Sequence, residues 1–262
     1  MSHGNPPNIV FIVADDLGLT DINSFDPLDR TYYETPNIDR LAVEGMAFRH
    51  AYTNAANCSP SRASLISGQY YPHQPIYHAG PARTFAMIGA DNANELPPEK
   101  ITVAEALREA GYVTAIMGKW HLGDPPEYGP QQQGFEINVG AYHAGNPGAW
   151  EGGFFEPNNN LYIDDAENGE YLTDYLTRKA IQFIDEHGAE PFFLFLPYYT
   201  PHVPLQAPEA LVRKYELKRA DRGHADPTYA AMVESLDTNV GKLLDALDEF
   251  GLAENSIVAF YS

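Results

Sequence analysis

The sequence predicts an α/β protein: a mostly parallel central sheet with helices on both faces. Three observations predict it. Four short segments are continuously apolar and rich in β-branched or aromatic residues, as in strands buried on both sides. Helical patterns alternate with them, as crossover connections in a parallel sheet require. Three of the four segments end abruptly in residues that carry chemistry.

The first strand is Ile9 to Ala14, ending at Asp15-Asp16. Thr35-Pro36 opens a short helix to Ala42 that stops near Gly45, and a second short helix is expected from Pro60 to just before Gly68. Residues 70–100 read as a long loop. Thr102 and Glu105 have capping-box spacing, and their helix runs to Ala110 before Gly111. Tyr112 to Met117 is the second strand, leading into Gly118-Lys119-Trp120-His121. Residues 123–170 are rich in Gly, Pro and Asn; a stretch this irregular is expected to hold short strands and a wall of the active-site pocket. Leu172 to His187 has amphipathic helical spacing. Phe192 to Leu196 is the third strand and ends in Tyr199-Thr200-Pro201-His202. A long helix capped by Asp226 starts near Pro227 and runs to about Phe250; Ile257 to Tyr261 is the fourth strand.

Composition narrows the function. The chain has 262 residues, 44% hydrophobic and 20% charged, enough to bury a core without staples. Sixteen Lys plus Arg against 36 Asp plus Glu give −20, a field that disfavours nucleic acid and anionic lipid but leaves room for a local basic pocket. The single cysteine, Cys58, excludes an intrachain disulfide. No apolar run approaches the length of a membrane span. Met1 to Pro7 lacks the basic and apolar regions of a signal peptide. The expected location is therefore cytoplasmic, or periplasmic or secreted if a signal has been removed.

In an open α/β sheet, ligands bind beyond the carboxyl ends of the strands. If the strands are parallel, Asp15-Asp16, Lys119 with His121, and His202 face one crevice. Asp15-Asp16 offers two hard oxygen ligands suited to Ca²⁺ or Mg²⁺; a capped turn is the alternative. Two carboxylates at a buried strand end are costly without a cation, which favours the metal. Lys119 and His121, two residues apart, point to the same side of an extended chain. One supplies a fixed positive charge and the other a proton acceptor or donor near neutral pH; a surface lysine and a packed histidine are the alternative. His202 lies between Pro201 and Pro204 in a stiffened loop. Cys58 lies just before the expected helix start, where free N–H groups favour anions, with Arg62 one turn further in.

Cys58-Ser59-Pro60-Ser61-Arg62 followed by Ala63 to Gly68 resembles the signature of the formylglycine-dependent sulfatases, members of the alkaline phosphatase superfamily. Asn8 to Asp16, Thr35 to Leu41, Gly118 to Gly123 and Pro201 to Pro204 match other motifs in the family's order, so the resemblance covers nearly the whole chain. It implies an alkaline phosphatase-like sulfatase fold and the hydrolysis of a sulfate ester. Cys58 would be oxidised by a formylglycine-generating enzyme to 3-oxoalanine (formylglycine), whose hydrate attacks sulfur with one hydroxyl and expels sulfate with the other. Asp15, Asp16 and residue 58 would ligate a divalent cation, Ca²⁺ before Mg²⁺. Arg62 would hold the residue-58 hydroxyl and Lys119 the sulfate. His121 would assist regeneration of the aldehyde, and His202 would lie by the leaving oxygen. The expected substrate is a small or oligomeric sulfated carbohydrate. Tyr70, Tyr71, Tyr77, Phe85, Tyr128, Phe135, Tyr142 and Trp150 either stack on it or pack the loops. Arg213, Lys214, Lys218, Arg219 and Arg222 either meet an anionic polysaccharide or form a solvated helix face interleaved with Glu216 and Asp221. The competing readings are a phosphodiester or phosphonate monoester hydrolase of the same superfamily, an inactive sulfate- or metal-binding fragment, and an α/β domain with a structural Cys58.

The chain departs from the family at its end. Family members follow the strand matching Ile257 to Tyr261 with an Asp-Asn pair that completes the metal site, then a C-terminal subdomain; here Ser262 is the last residue. Residues 1–262 are accordingly expected to be a catalytic N-terminal domain without that subdomain. The 262-residue chain alone is predicted to bind Ca²⁺ weakly and to turn over sulfate esters slowly or not at all. Robust calcium-dependent turnover by the purified chain would contradict this.

Overall fold

Residues 6–80 and 91–262 are described by a computed structural model. Phe85 and Met1 to Asn5 lie outside them. Five strands are present: β1 (Asn8–Val13), β2 (Val113–Met117), β3 (Ile137–Val139), β4 (Phe192–Pro197) and β5 (Ser256–Tyr261). They form one sheet in the order β3-β2-β4-β1-β5, and every pairing is parallel. The four predicted strands are all found. The fifth, β3, is a short strand inside the irregular 123–170 region, where a bridge between Phe155 and Tyr171 adds a second fragment.

The helices are α1 (Pro36–Glu44), α2 (Cys58–Ser67), α3 (Val103–Glu109), α4 (Leu172–His187), α5 (Glu209–Glu216) and α6 (Pro227–Glu249). Alternation along the strands sorts side chains onto two cores. Val10, Ile12, Leu194 and Leu196 face one cluster with Leu176 and Ile184 of α4 and Leu236 and Val240 of α6. Phe193, Phe195 and Ile116 face the other, with Ala63 and Ile66 of α2 and Ala104 of α3. Helices therefore cover both faces, as expected of an all-parallel sheet.

Local chemistry sets the helix starts. Thr102 accepts from the Glu105 N–H at 3.1 Å, and Glu105 accepts from the Thr102 N–H at 2.8 Å, completing the predicted box. Asp226 caps α6 through the Tyr229 N–H at 2.9 Å. The start of α1 is capped from a distance. The buried Asp237 of α6 accepts from the N–H groups of Asn37 at 2.9 Å and Ile38 at 2.8 Å, and from Asn37 Nδ2 at 2.8 Å.

Two open alternatives now have a geometry. The basic run is only partly helical, since α5 ends at Glu216. Most of its charge is met internally: Lys214 binds Glu34 at 2.6 Å and Glu234 at 2.7 Å, Lys218 binds Glu34 at 2.6 Å, Arg213 pairs with Glu209, and Arg222 with Asp221 at 2.8 Å. A solvated helix face was one reading of this run, and α5 carries its first part; the bounds of that helix had no sequence signal, since its few apolar positions follow a proline-rich loop. Of the loop aromatics, Phe135 and Trp150 are buried, Tyr142 stacks on Trp150, and Tyr71 meets Tyr77 edge to face. They pack the loops, whereas Tyr70 is 65% exposed.

Replacing Asp237 by Ala strands two backbone donors at the start of α1. Urea unfolding of Asp237→Ala is expected to show a loss of about 2 kcal/mol. A loss within experimental error would mean that water takes over the cap.

Candidate active site

The parallel pairing brings the carboxyl ends of β1, β2, β4 and β5 to one edge. Ala14 N–H donates to Tyr261 O at 2.9 Å, and Asp15 N–H to Thr200 O at 3.1 Å, so the strand-end loops are stitched together. After β2 the chain turns sharply. Gly118 has φ 120°, and a Cβ there would collide with the Pro197 carbonyl. Only glycine fits this approach. Lys119 N–H then donates to Pro197 O at 2.7 Å.

This turn puts the Lys119 side chain into the interior, where it is fully buried. Its Nζ lies 2.6 Å from Asp15 Oδ2, and Arg62 of α2 donates to Asp15 Oδ1 at 3.1 Å. Arg62 also donates to the Lys119 carbonyl at 2.8 Å. Asp15 and Arg62 are 4% and 5% exposed. Burial pushes the Asp15 carboxyl up, but the charges of Arg62 and Lys119 and the Lys119 hydrogen bond outweigh it and hold it below the ordinary carboxylate value. The triad carries two buried cations against one carboxylate.

Cys58 is the first residue of α2, two positions earlier than the proline expected to open that helix. Its half-buried thiol therefore sits within the first turn, 3.6 Å from Asn57 Oδ1. Burial and the charge of Arg62 push the Lys119 ammonium down, against the pull of Asp15. His121 does not lie on an extended strand. It has φ 62° and its N–H donates to Tyr142 O at 3.0 Å. Burial first, then the charges of Lys119 and Arg62, pushes its imidazole down to about 3.

One neighbour escaped the sequence reading. His143 meets His121 edge to face at 5.8 Å, with its N–H on Asp124 Oδ1 at 3.2 Å. No motif carries it; a histidine in a Gly- and Asn-rich loop was the sole signal. Gly145 lies flat against His121, leaving no room for a Cβ.

Asp16 and His202 form the outer part of the edge. Asp16 has φ 65° and its side chain is 67% exposed; His202 Nε2 lies 3.4 Å from its Oδ2. His202 Nδ1 is 2.8 Å from the Val203 carbonyl, which can only accept, so Nδ1 carries the hydrogen and Nε2 faces Asp16.

The metal expectation can be tested on these donors. Asp15 and Asp16 are hard oxygen donors at a rigid strand end, and the buried carboxylate needs a cation in any state; both fit a hard divalent ion. Among the described residues no three His, Cys, Asp or Glu side chains converge as a metal cluster, so Asp15, Asp16 and Cys58 are not gathered into a ready cage. The two oxygens of Asp15 receive Lys119 and Arg62 instead.

The parallel sheet, the helices on both faces and the polar edge define an α/β protein with a crevice at the carboxyl ends of its strands, and its likeness to solved sulfatase structures gives it the alkaline phosphatase-like fold. The sequence matches the profile of the family described as Sulfatase over residues 7–262, and the chain belongs to that family. A "Sulfatase" of Formosa agariphila is 32% identical over 98% of this chain and 57% of its own length. The N-acetylgalactosamine-6-sulfatase of Canis lupus familiaris is 32% identical over 98% of this chain and 50% of its own. Among solved structures, Ps i-CgsB in complex with k-i-k-neocarrahexaose superposes with a TM-score of 0.79 at 32% identity, over 98% of this chain and 58% of that one. The chain thus spans about half the length of the curated relatives it matches.

The site makes a spectroscopic prediction. A histidine whose native value lies far below its unfolded value of about 6.5 stays neutral in the fold, and its contribution to stability is lost as pH falls below that unfolded value. Imidazole NMR should show His121 uncharged from pH 8 down to pH 5, where an ordinary histidine titrates. A His121 midpoint near 6 would contradict the desolvated site.

Proposed function

We propose that the chain is the catalytic N-terminal part of a sulfuric ester hydrolase acting on carbohydrate sulfate esters. The observation that carries it is the position of Cys58 in the first turn of α2, beside a buried Arg62–Asp15–Lys119 triad with one positive charge in excess. Such a pocket is built to hold a compact anion against a nucleophile. Membership of the Sulfatase family and likeness to an N-acetylgalactosamine-6-sulfatase support a sulfated sugar as substrate.

In this reading Cys58 is matured to formylglycine, whose hydrate provides the attacking oxygen. A divalent cation, Ca²⁺ before Mg²⁺, is held by Asp15 and Asp16 with residue 58 and supplies Lewis-acid polarisation. The chain's own residues do the rest. Arg62, fixed by its bond to the Lys119 carbonyl, orients the oxygen on residue 58. Lys119 offsets charge on the sulfuryl oxygens. His121, kept neutral by burial and by its cationic neighbours, assists restoration of the aldehyde by accepting a hydrogen bond from the residue-58 hydroxyl. His202 presents Nε2 to the leaving oxygen while the Val203 carbonyl fixes its ring.

The test is the mass of the tryptic peptide His50 to Arg62 from protein made in its native host, paired with an assay. A change matching thiol replaced by aldehyde is expected, and any hydrolysis of N-acetylgalactosamine 6-sulfate, slow at most for this chain, is abolished by Cys58→Ala. An unmodified thiol would move the inert binding-fragment reading ahead. Faster turnover of a phosphonate monoester than of any sulfate ester would reassign the substrate class.

A further inference from the structure

His121 is held at three points by one short segment, residues 142–145. Its N–H donates to the Tyr142 carbonyl at 3.0 Å. Its ring meets the His143 ring edge to face, with centroids 5.8 Å apart. Gly145 lies against its Cε1–Nε2 edge: a Cβ at position 145 would fall 2.5 Å from Cε1 and 2.6 Å from Nε2. A working imidazole is usually oriented by a hydrogen bond on its far nitrogen. Here the Nδ1 atoms of both His121 and His143 are buried without a partner among the described residues, so packing does that task. A histidine at φ 62° also persists only where its surroundings impose that backbone. The segment can impose it because its own approach is fixed. The Gly140 carbonyl accepts from Asn160 Nδ2 at 3.0 Å and from the Tyr199 hydroxyl at 3.2 Å, and Ala141 exchanges two hydrogen bonds with the Asn138 side chain, at 2.9 and 3.0 Å. The His143 N–H is anchored on Asp124 Oδ1 at 3.2 Å.

We propose that residues 142–145 are a positioning clamp for His121: His143 packs its ring, and the bare Cα of Gly145 spares its Nε2, so that nitrogen faces the crevice while Nδ1 is turned inward. This rests on the role given to His121 in the proposed function and adds what orients it. His143 is a positioning residue, acting through the ring it packs. The two positions have different requirements. At 143 an aromatic edge is needed but its nitrogens are not, since the contact between the rings is one of packing. At 145 any side chain displaces the imidazole or the loop. The consequence for catalysis is large for a small movement, because a misplacement of about 1 Å can cost on the order of a hundredfold in rate.

The test is NMR of the whole chain labelled in its histidines and glycines, with the His121 ring signals assigned by difference against His121→Gln. The unaltered protein should show a nuclear Overhauser contact between His121 Hε1 and the Gly145 α-protons, and its absence would overturn the clamp without any variant being made. His143→Ala should shift the His121 Hε1 resonance and weaken that contact, while the urea midpoint stays near that of the unaltered protein. His143→Phe should restore both signals. Gly145→Ala should shift the same resonance with His143 intact. An unchanged His121 signature in a folded His143→Ala would overturn the clamp, and so would a His143→Phe variant that behaves like His143→Ala. None of these readings needs turnover, so a failed clamp and an unmodified Cys58 are seen in separate experiments.

Discussion

Asp15 is the joint on which the site is assembled. Its carboxylate is the one group touched by side chains from both flanks: Lys119 follows β2, and Arg62 lies in α2 one turn beyond Cys58. Its backbone is tied to the β4 loop through Thr200. Four segments distant in sequence are thereby fixed around one negative charge. Of the two buried cations that share this carboxylate, Arg62 also reaches the Lys119 carbonyl at 2.8 Å, while the Lys119 ammonium has Asp15 Oδ2 as its partner, and the surplus charge favours an anion beside them. The first turn of α2, the buried charges and the strand end are thus parts of one electrostatic arrangement.

Much of this was legible before any coordinates. Continuous apolar runs read as buried strands because both faces of the sheet are covered, and the Leu172 to His187 helix was bounded by its own periodicity. The strand ends named the crevice residues because parallel strands put every carboxyl end on one side. What local patterns could not give was the backbone geometry between Lys119 and His121. An extended Lys119–His121 segment would have put both side chains on one face. Instead Gly118 at φ 120° sends Lys119 inward and His121 at φ 62° turns the chain again, so the two meet the site by separate routes.

Other features were invisible for related reasons. The capping of α1 by Asp237 spans 200 residues, and no local motif encodes a cap supplied by another helix. The basic run looked available because its partners Glu34 and Glu234 are remote in sequence. His143 belongs to no periodic element, and its placement depends on the turn that brings 140–145 against His121. Identity of residues was readable; long-range pairing of charges was not.

The register of β1 also sets a timetable. Its two neighbours are β4 and β5, and the pairs Asn8 with Phe192 and Asn8 with Ser256 are 184 and 248 residues apart. During synthesis the first strand emerges early and has nothing to pair with until most of the chain has left the ribosome. At typical elongation rates the delay is on the order of ten seconds or more. Through that interval the hydrophobic Ile9 to Val13 segment is a liability for chaperones to shield, and position 58 is still unburied peptide. A central strand that must wait for its neighbours makes this fold slow to close, as parallel sheets of high contact order are.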